Sequence, residues 1–442
     1  MTVAKMNKRS KPLTGRTVYV VDGARTPFIK AQGRPGPFSA ADLAVAVGKG
    51  LLQRQSFSVQ QLDEVIVGCV IPSAKEANVA RVISLRLGCG EHVPAWTVQR
   101  NCASGMQALA TAAERIAAGY SDLILAGGTE AMSHAPVSLN PLMVNWLADW
   151  QQARSMGARM KALSQLRVKH LRPEIALLQG LTDPTSGLGM GQTAENLASC
   201  FRISREQMDQ FALESHRRLA AGIDSDQYSE IIPLYTGDGR CIEADEGLRR
   251  DADMAGLARL KPAFDQTFGR VTAGNSAQIT DGAALLLLAS EEAVENYNLP
   301  VLGEIIDRSW AGLAPEVMGL GPVYAMDRLL CRQKNLVNID LWEINEAFAA
   351  QVLGCLAALD DTTWQLENLG ELTVVPLIDS QKLNVDGGSI AIGHPVGASG
   401  ARIVLHLLKA LHHRGGGNGV ASLCIGGGQG GAMLVSTEGS RS

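Results

Sequence analysis

The chain has 442 residues, of which 46% are hydrophobic and 19% charged, which is typical of a globular protein of two or three domains. Forty Lys and Arg residues against 44 Asp and Glu give a net charge of −4, which argues against a general nucleic-acid-binding surface. No apolar run reaches the length of about 18 residues that spans a membrane. The eight cysteines lack CxxC spacing, so the sequence predicts no zinc site.

The first 15 residues are basic and lack the apolar segment of a secretory signal. We therefore expect a flexible tail at 1–15 and a cytoplasmic protein of bacterial type. A leader for the mitochondrial matrix is the alternative that this composition leaves open.

The ordered part of the chain is expected to alternate strands and helices. A β-branched run at 17–28 predicts the first strand, and apolar residues at helical spacing in 40–53 predict the helix after it. Further strands are expected at 63–70 and 122–130, with an alanine-rich helix at 103–119 between them. This alternation indicates an α/β protein whose sheet is covered by helices.

The last third of the chain repeats this pattern. A strand end leads into a helix at 341–359, a long helix is expected at 398–416, and two strands flank a glycine-rich turn at 418–436. The helices at 103–119 and 398–416 both begin with Ala-Ser-Gly and are both followed by a strand and glycines. The likeness predicts an internal duplication of one α/β unit.

A region of different character, about 134–262, separates the two halves. Within it, the segment 150–173 carries six Lys and Arg and no Asp or Glu, with methionines and leucines at near-helical intervals. This basic amphipathic segment suits a solvated helix face, a phosphate group, a partner subunit or a membrane surface, and the sequence leaves these four open. A helix capped by Ser204 is expected at 203–223.

Cys102 is the strongest candidate nucleophile. It stands in VQRNCASGMQAL, at the junction of a predicted strand and the N-terminus of a long helix. Unpaired backbone N–H groups and the positive end of the helix dipole point at such a position, and both are expected to lower the pKa of the thiol. The small residues that follow allow a ligand to approach the backbone closely.

Three further residues complete a candidate constellation for acyl transfer. His394 lies in Gly-His-Pro before a glycine-rich helix start, where we expect its imidazole to face a cleft. Cys424 directly precedes the turn GGGQGG, whose N–H groups can form an oxyanion nest. The amide of Asn345 follows a predicted strand end and can hold a water or a carbonyl oxygen. Two cysteines and one histidine suit transfer through a thioester, whereas the glycines match no nucleotide-cofactor motif.

Seven motifs in order resemble the thiolase family of acyl-CoA acetyltransferases and cover nearly the whole chain outside the inserted region. They are VDGARTPF, NCASGMQA, AGGTEAM, GNSAQITDGAA, NEAF, GGSIAIGHPVGASGAR and CIGGGQGGA. The resemblance implies an α/β protein with a duplicated five-layer αβαβα fold. Its N-terminal thiolase domain would span 16–295, with a loop domain inserted at about 134–262, and its C-terminal thiolase domain would span 296–442.

The resemblance also implies a role for each candidate residue. Cys102 corresponds to the acylated nucleophile, His394 to its activating base, and Cys424 to the acid/base that acts on the methyl group of acetyl-CoA. Asn345 corresponds to the residue that holds the water of one oxyanion hole beside His394. The backbone N–H groups of Cys102 and Gly426 correspond to the second oxyanion hole.

The activity so implied is reversible CoA-dependent cleavage of 3-ketoacyl-CoA, or the reverse Claisen condensation, through an acyl-Cys102 intermediate. Coenzyme A is a substrate, and neither a metal nor a redox cofactor is expected. The family motif GNASG is GNSAQ here, which shifts the serine hydroxyl by one position to Ser276. Ser276 is then the residue that the resemblance implies as a contact of the pantetheine chain. A homodimer or homotetramer is expected.

The basic loop resembles that of the β subunits of trifunctional-type fatty-acid oxidation complexes. That branch would imply β-oxidation, a hydratase/3-hydroxyacyl-CoA dehydrogenase partner subunit, and peripheral membrane contact through 150–173. It often has a histidine where this chain has Asn345, so a short-chain acetoacetyl-CoA thiolase is the alternative.

Two other classes are weighed against a thiolase. A decarboxylating ketoacyl synthase would offer two active-site histidines, where this chain has Asn345 and Cys424. A non-catalytic acyl-CoA- or lipid-binding homologue would have a damaged Cys/His/Cys set, and all three residues are present. Chain-length preference and the physiological direction do not follow from the motifs.

Overall fold

The computed structural model describes residues 11–333 and 338–438, and within these ranges it has fourteen strands and fifteen α-helices. The strands are β1 (Tyr19–Arg25), β2 (Ile29–Lys30), β3 (Glu64–Gly68), β4 (Ala95–Val98), β5 (Leu123–Ala131), β6 (Val137–Leu139), β7 (Pro173–Ile175), β8 (Leu234–Tyr235), β9 (Cys241–Ile242), β10 (Thr280–Ala289), β11 (Gly303–Gly312), β12 (Leu341–Ile344), β13 (Asn418–Ile425) and β14 (Gln429–Ser436). The helices are α1 (Ala40–Leu52), α2 (Val79–Leu87), α3 (Ser104–Ala117), α4 (Pro141–Gln152), α5 (Met156–Gln165), α6 (Ala176–Gly180), α7 (Met190–Cys200), α8 (Arg205–Asp224), α9 (Met254–Ala258), α10 (Glu291–Tyr297), α11 (Gly321–Leu330), α12 (Ala349–Asp360), α13 (Thr362–Asn368), α14 (Ser389–Ile392) and α15 (Val396–His413).

Ten strands form one mixed sheet in the order β12-β13-β14-β11-β1-β10-β5-β3-β4, with β2 paired to β10. The remaining four strands form two small antiparallel hairpins, β6–β7 and β8–β9. The halves of the sheet join where β1 and β11 run antiparallel, through the pairs Tyr19–Glu304 and Val20–Gly303.

The strand pairing confirms the predicted duplication. Each half has four strands joined by two antiparallel pairings and then one parallel pairing. The order is β1-β10-β5-β3 in the first half and β11-β14-β13-β12 in the second. The register shifts at the same place in both, between Val20 and Asp22 and between Ile305 and Asp307. Among the described strands, β4 has no counterpart in the second half.

Three helical layers enclose the two halves of the sheet. Helices α1 and α2 pack on the outer face of the first half, and α11 and α12 pack on the outer face of the second. Helices α3 and α15 form the middle layer, in one core cluster with residues of both halves. This is the five-layer αβαβα fold that was expected.

The two central helices touch through glycines. A Cβ atom added at Gly105 of α3 would lie 2.8 Å from the carbonyl oxygen of Gly397 and 2.9 Å from the nitrogen of Ala401. One added at Gly400 of α15 would lie 2.6 Å from the nitrogen of Met106. The Ala-Ser-Gly starts therefore let the first turns of α3 and α15 meet backbone to backbone, which brings both helix N-termini to one place.

Between β5 and β10 the chain leaves the sheet and forms β6 to β9 and α4 to α9. Ser204 caps α8, as predicted, and its hydroxyl accepts from the N–H of Gln207. The basic segment 150–173 is not one helix: it spans the last turn of α4, the whole of α5 and a 3-10 turn at Val168–Leu171. The helix breaks at Ala153, whose backbone is extended.

The domain boundaries at 16–295, 134–262 and 296–442 stay predictions, and most of the expected tail lies outside the described residues. No helix of the described ranges is long and apolar enough to cross a membrane. The same ranges contain no group of three or more His, Cys, Asp or Glu placed to hold a metal ion.

His406 on α15 is buried between two carboxylates. Its Nδ1 lies 3.1 Å from Glu230 Oε1 and its Nε2 lies 3.2 Å from Asp386 Oδ2. Since both partners are acceptors, both ring nitrogens donate and the ring is charged. Burial alone would lower the pKa of His406, but the hydrogen bonds with Asp386 and Glu230 outweigh it and raise that pKa from 6.5 to about 9.

This pKa predicts that stability falls at alkaline pH. Because the pKa of His406 is higher in the folded state, its contribution, about 3 kcal/mol, is complete below pH 6.5 and is lost as the pH rises through about 9. The free energy of unfolding, measured by denaturant titration from about pH 6 to 10, should decrease over this interval. His406→Gln should flatten the decrease, whereas His412→Gln at the exposed end of α15 should leave it unchanged. An equal slope in wild type and His406→Gln would contradict the assignment.

Candidate active site

Cys102 lies on a sharp turn between β4 and α3. Asn101 before it has φ +43°, in the left-handed region that asparagine tolerates better than most residues. The hydroxyl of Ser104 accepts from the N–H of Arg100 at 2.8 Å and donates to the carbonyl of Asn101 at 2.7 Å. These bonds fix the turn in front of α3, and Cys102 lines a cavity there.

Asn101 also joins this turn to the glycine turn after β13. Its Nδ2 donates to the carbonyl oxygen of Gly426 at 2.7 Å. Gly427 and Gly428, with φ of +88° and +76°, turn the chain back into β14. The sequence motifs predicted no role for Asn101, although an asparagine at a strand-to-helix turn, directly before a candidate nucleophile, is a signal for left-handed backbone.

The backbone N–H groups of Gly426 and of Cys102 itself favour the thiolate form of Cys102. Burial raises the pKa of the Cys102 thiol and outweighs the lowering by these N–H groups. The prediction of a lowered pKa from the helix N-terminus is therefore wrong, because protein encloses the sulfur. Cys102 rests as a thiol and needs a base to become a nucleophile.

The hydrogen bonds of His394 leave one ring nitrogen free to act as a base. Its Nδ1 lies 2.6 Å from Ser399 Oγ, and that hydroxyl donates to the carbonyl of Pro395 at 3.0 Å. Ser399 therefore accepts from Nδ1–H, which leaves the lone pair on Nε2. This nitrogen is buried and has no hydrogen-bond partner among the described residues. Burial, and then the charge of Arg402, lower the pKa of His394 to about 4. The ring is neutral at physiological pH.

Asn345 directly follows β12 and is fully buried. Its Oδ1 accepts from the hydroxyl of Ser389 at 2.6 Å, and that hydroxyl accepts in turn from Arg402 Nη2 at 3.2 Å. This chain fixes the amide with its Nδ2 donor on the opposite side, where it is buried without a partner. A free amide N–H suits an oxyanion or a water.

Cys424 is the penultimate residue of β13 and is almost fully buried. Burial raises the pKa of its thiol well above the usual value, and a negative charge on Cys102 would raise it further. Cys424 is therefore held as a thiol, which is the form that a proton donor requires.

Two cavities flank these residues, each of about 450 Å³. Cys102 and Gly426 line the first, whose other walls are largely apolar. The second is lined by Arg249, Arg259 and Gln278, and the carbonyl of Gln278 accepts from the N–H of His394 at 3.0 Å. The apolar residues of the first cavity are Val70, Ile71, Met132, Leu177, Leu181, Met190 and Val396.

Ser276, the expected pantetheine contact, is buried and lines neither cavity. Its hydroxyl donates to the carbonyl oxygen of Thr272 at 2.6 Å, which leaves only its oxygen lone pairs for another partner. Gly274, two residues earlier, does line the second cavity.

Glu130, in the motif AGGTEAM, is a buried carboxyl group for which the sequence motifs predicted no role. It accepts from the N–H of Val70 at 2.8 Å and of Ile71 at 3.0 Å, and both of these residues line the first cavity. Burial raises the pKa of Glu130 to about 7, against the lowering by these N–H groups. Glu130 therefore holds one wall of the cavity in place.

Comparison with known proteins bears on both halves of the chain. The N-terminal domain of thiolases matches residues 18–292, and the C-terminal domain of thiolases matches residues 299–437. A 3-ketoacyl-CoA thiolase of Yersinia pestis (strain Pestoides F) is 38% identical over 440 residues, covering 97% of this chain and 100% of that protein.

Solved structures agree with this assignment. The acetyl-CoA acetyltransferase of Bacillus anthracis superposes with a TM-score of 0.82 at 35% identity, over 96% of this chain and 99% of that one. Human mitochondrial 3-ketoacyl-CoA thiolase in complex with CoA gives the same TM-score at 36% identity, over 95% and 98%. The chain belongs to the thiolase family of acyltransferases.

Proposed function

We propose that this protein catalyses the reversible, CoA-dependent cleavage of 3-ketoacyl-CoA to acetyl-CoA and a shortened acyl-CoA, through an acyl-Cys102 intermediate. The observation that carries the proposal is that Cys102 lines one cavity together with Gly426 and with Val396, the first residue of α15, at the place where the first turns of α3 and α15 meet. The unpartnered Nε2 of His394 and the protonated Cys424 supply the base and the acid that such a sulfur needs.

In the first half-reaction His394 Nε2 accepts the proton of Cys102, and the sulfur attacks the C3 carbonyl of the substrate. The C2–C3 bond then breaks, the acyl group stays on Cys102, and the enolate of acetyl-CoA takes a proton from Cys424. In the second half-reaction a CoA thiolate attacks the acyl-Cys102 thioester. The proton of the CoA thiol restores Cys424, and His394 returns its proton to the departing Cys102 sulfur.

Each step develops negative charge on an oxygen, and the site offers donors for two such oxygens. The N–H groups of Cys102 and Gly426 suit the C3 oxygen and later the acyl thioester oxygen. Asn345 can donate a hydrogen bond to the enolate oxygen, directly or through a water. His394 can donate a second one from Nε2–H once that nitrogen is protonated. Each donor of this kind typically lowers the activation free energy by about 3 kcal/mol.

The two cavities suit the two ends of the substrate. Arg249 and Arg259 line the second cavity and can pair with the phosphates of CoA. The apolar first cavity suits the acyl chain and favours β-oxidation over a purely short-chain, acetoacetyl-CoA-cleaving role, which is the alternative.

We extend the proposal to the assembly on the strength of the resemblance. A homodimer or homotetramer is proposed, in the bacterial cytoplasm or, failing that, the mitochondrial matrix. A hydratase/3-hydroxyacyl-CoA dehydrogenase subunit is proposed as the partner, because oxidation of a 3-hydroxyacyl-CoA supplies the substrate.

The test of this function is thiolytic cleavage of acetoacetyl-CoA and of 3-ketopalmitoyl-CoA, measured side by side with CoA. We expect both to be cleaved, with kcat/KM higher for the long chain because the first cavity buries apolar carbon. A preference for acetoacetyl-CoA would favour the short-chain alternative. Cleavage of neither would contradict the proposal.

The two cysteines should fail at different steps when each is replaced by alanine. Cys102→Ala removes the nucleophile, so no acyl-enzyme should form. Cys424→Ala keeps the nucleophile and should still acquire an acyl group from an acyl-CoA, but C–C bond cleavage should fall by about 10³-fold because the enolate lacks its acid. Intact-protein mass and the rate of cleavage separate these outcomes, and a fully active Cys102→Ala would overturn the assignment.

Asn101 should be needed for transition-state stabilisation rather than for substrate binding. Asn101→Gly keeps the left-handed turn but removes the bond to Gly426, so kcat should fall by about 10- to 100-fold with little change in KM. Asn101→Leu loses the same hydrogen bond and also strains the backbone at positive φ, so its kcat should be lower than that of Asn101→Gly. Asn298→Leu is the matched control, because Asn298 also has positive φ, at the end of α10. Wild-type kcat in Asn101→Gly would show that this bond does not position the Gly426 N–H.

A further inference from the structure

Glu130 is the penultimate residue of β5 and is fully buried beside the first cavity. β3 runs parallel to β5, with Gly68 opposite Gly128, so the segment that leaves β3 passes beside Glu130. Within that segment the N–H of Val70 donates to Oε2 at 2.8 Å and the N–H of Ile71 donates to Oε1 at 3.0 Å. Both oxygens of the carboxyl group therefore hold the same two-residue stretch.

This stretch forms part of the surface of the first cavity. The side chains of Val70 and Ile71 are half-buried and line that cavity. A Cβ atom added at Gly180, which lines the same cavity at the end of α6, would lie 4.0 Å from Ile71 Cδ1. Since β3 ends at Gly68, the carboxyl group of Glu130 is the acceptor that a neighbouring strand would otherwise supply. The position of this wall therefore depends on one side chain.

The same carboxyl group also faces the first turn of α15. A Cβ atom added at Gly397 would lie 2.7 Å from Glu130 Oε2 and 2.5 Å from the carbonyl oxygen of Thr129. The backbone N–H of Gly397 favours the ionised form of Glu130. Val396 lines the first cavity, and His394 lies two residues before it. Glu130 thus lies between the cavity wall and the turn that carries His394.

We propose that Glu130 is a positioning residue that sets the preference for long acyl chains, because it holds the wall formed by Val70 and Ile71 at a fixed distance from the start of α15. The inference rests on the proposed function. A chain that fills the cavity of about 450 Å³ contacts both segments that Glu130 joins, and so gains from their fixed spacing. The acetyl group that acetoacetyl-CoA leaves on Cys102 fills little of this space and gains little.

A direct electrostatic effect on the nucleophile is the alternative role for this carboxyl group. A negative charge on Glu130 raises the pKa of the Cys102 thiol. Such an effect would change the rate of acylation by the same factor for every chain length. The dependence on chain length therefore separates the two roles.

The test compares kcat/KM for acetoacetyl-CoA and for 3-ketopalmitoyl-CoA in the wild type and in Glu130→Gln. Glutamine has nearly the same shape, but its NH2 group cannot accept, so at least one N–H of the wall loses its bond. We expect kcat/KM for the long substrate to fall at least about tenfold more than that for acetoacetyl-CoA, through a higher KM rather than a lower kcat. Glu64→Gln is the matched control, because Glu64 is a buried carboxyl group at the opposite end of β3 and accepts from Trp96 Nε1 at 2.9 Å. Its ratio of the two kcat/KM values should equal that of the wild type.

An equal fall for both substrates in Glu130→Gln would overturn the proposal. Failure of the wild type to cleave either substrate would instead contradict the proposed function. A double-mutant cycle with Ile71→Ala adds a second comparison. Because both residues act on the same wall, their effects on the ratio should be much less than additive, and additive effects would overturn the proposal.

A measurement on the wild type does not depend on the folding of any variant. Amide hydrogen exchange in 69–72 and in 394–398 is compared between enzyme acylated from palmitoyl-CoA and enzyme acylated from acetyl-CoA. We expect both segments to gain protection with the palmitoyl group, since Glu130 joins them. Protection of one segment alone, or of neither, would overturn the proposal.

Discussion

The active site depends on the close crossing of α3 and α15. Because Gly105 and Gly400 have no side chain, the first turns of these helices touch through their backbones. The turn before α3 carries Cys102, and the turn before α15 carries His394. The duplication of one α/β unit thus supplies two equivalent helix starts, and the crossing brings together the turn of the proposed nucleophile and the turn of the proposed base.

The serines of the two Ala-Ser-Gly starts have equivalent structural roles, since each bonds the turn before its helix. Ser104 fixes the turn that contains Cys102 by bonding the backbone of Arg100 and Asn101, and Ser399 fixes His394 through Nδ1. Burial raises the pKa of both cysteine thiols and lowers that of His394, so in the proposed mechanism negative charge develops only when the thiol gives up its proton. The buried charges lie one layer away, where Arg402 pairs with Glu343 at 2.6 Å.

Periodicity and turn chemistry predicted most of the fold, because buried strands and glycine-started helices have local signals. The duplication could be predicted from two Ala-Ser-Gly starts, and Cys102, His394, Asn345 and Cys424 could be chosen as candidates from their places at strand ends and helix starts. Their catalytic roles stay predictions. Contacts between distant parts of the chain could not be predicted: the burial that raises the pKa of Cys102 depends on tertiary packing, and Asn101 donates to Gly426, more than 300 residues away.

The crossing of α3 and α15 can be tested directly with Gly400→Ala, measured by the rate at which an acyl-CoA acylates Cys102. A methyl group there would lie 2.6 Å from the backbone nitrogen of Met106, so the helices must separate and acylation should slow by at least about tenfold. Gly157→Ala is the control, because Gly157 is also in a helix and has nothing within 4 Å of an added Cβ. Acylation of Gly400→Ala at the wild-type rate would contradict the view that this contact aligns Cys102 with His394.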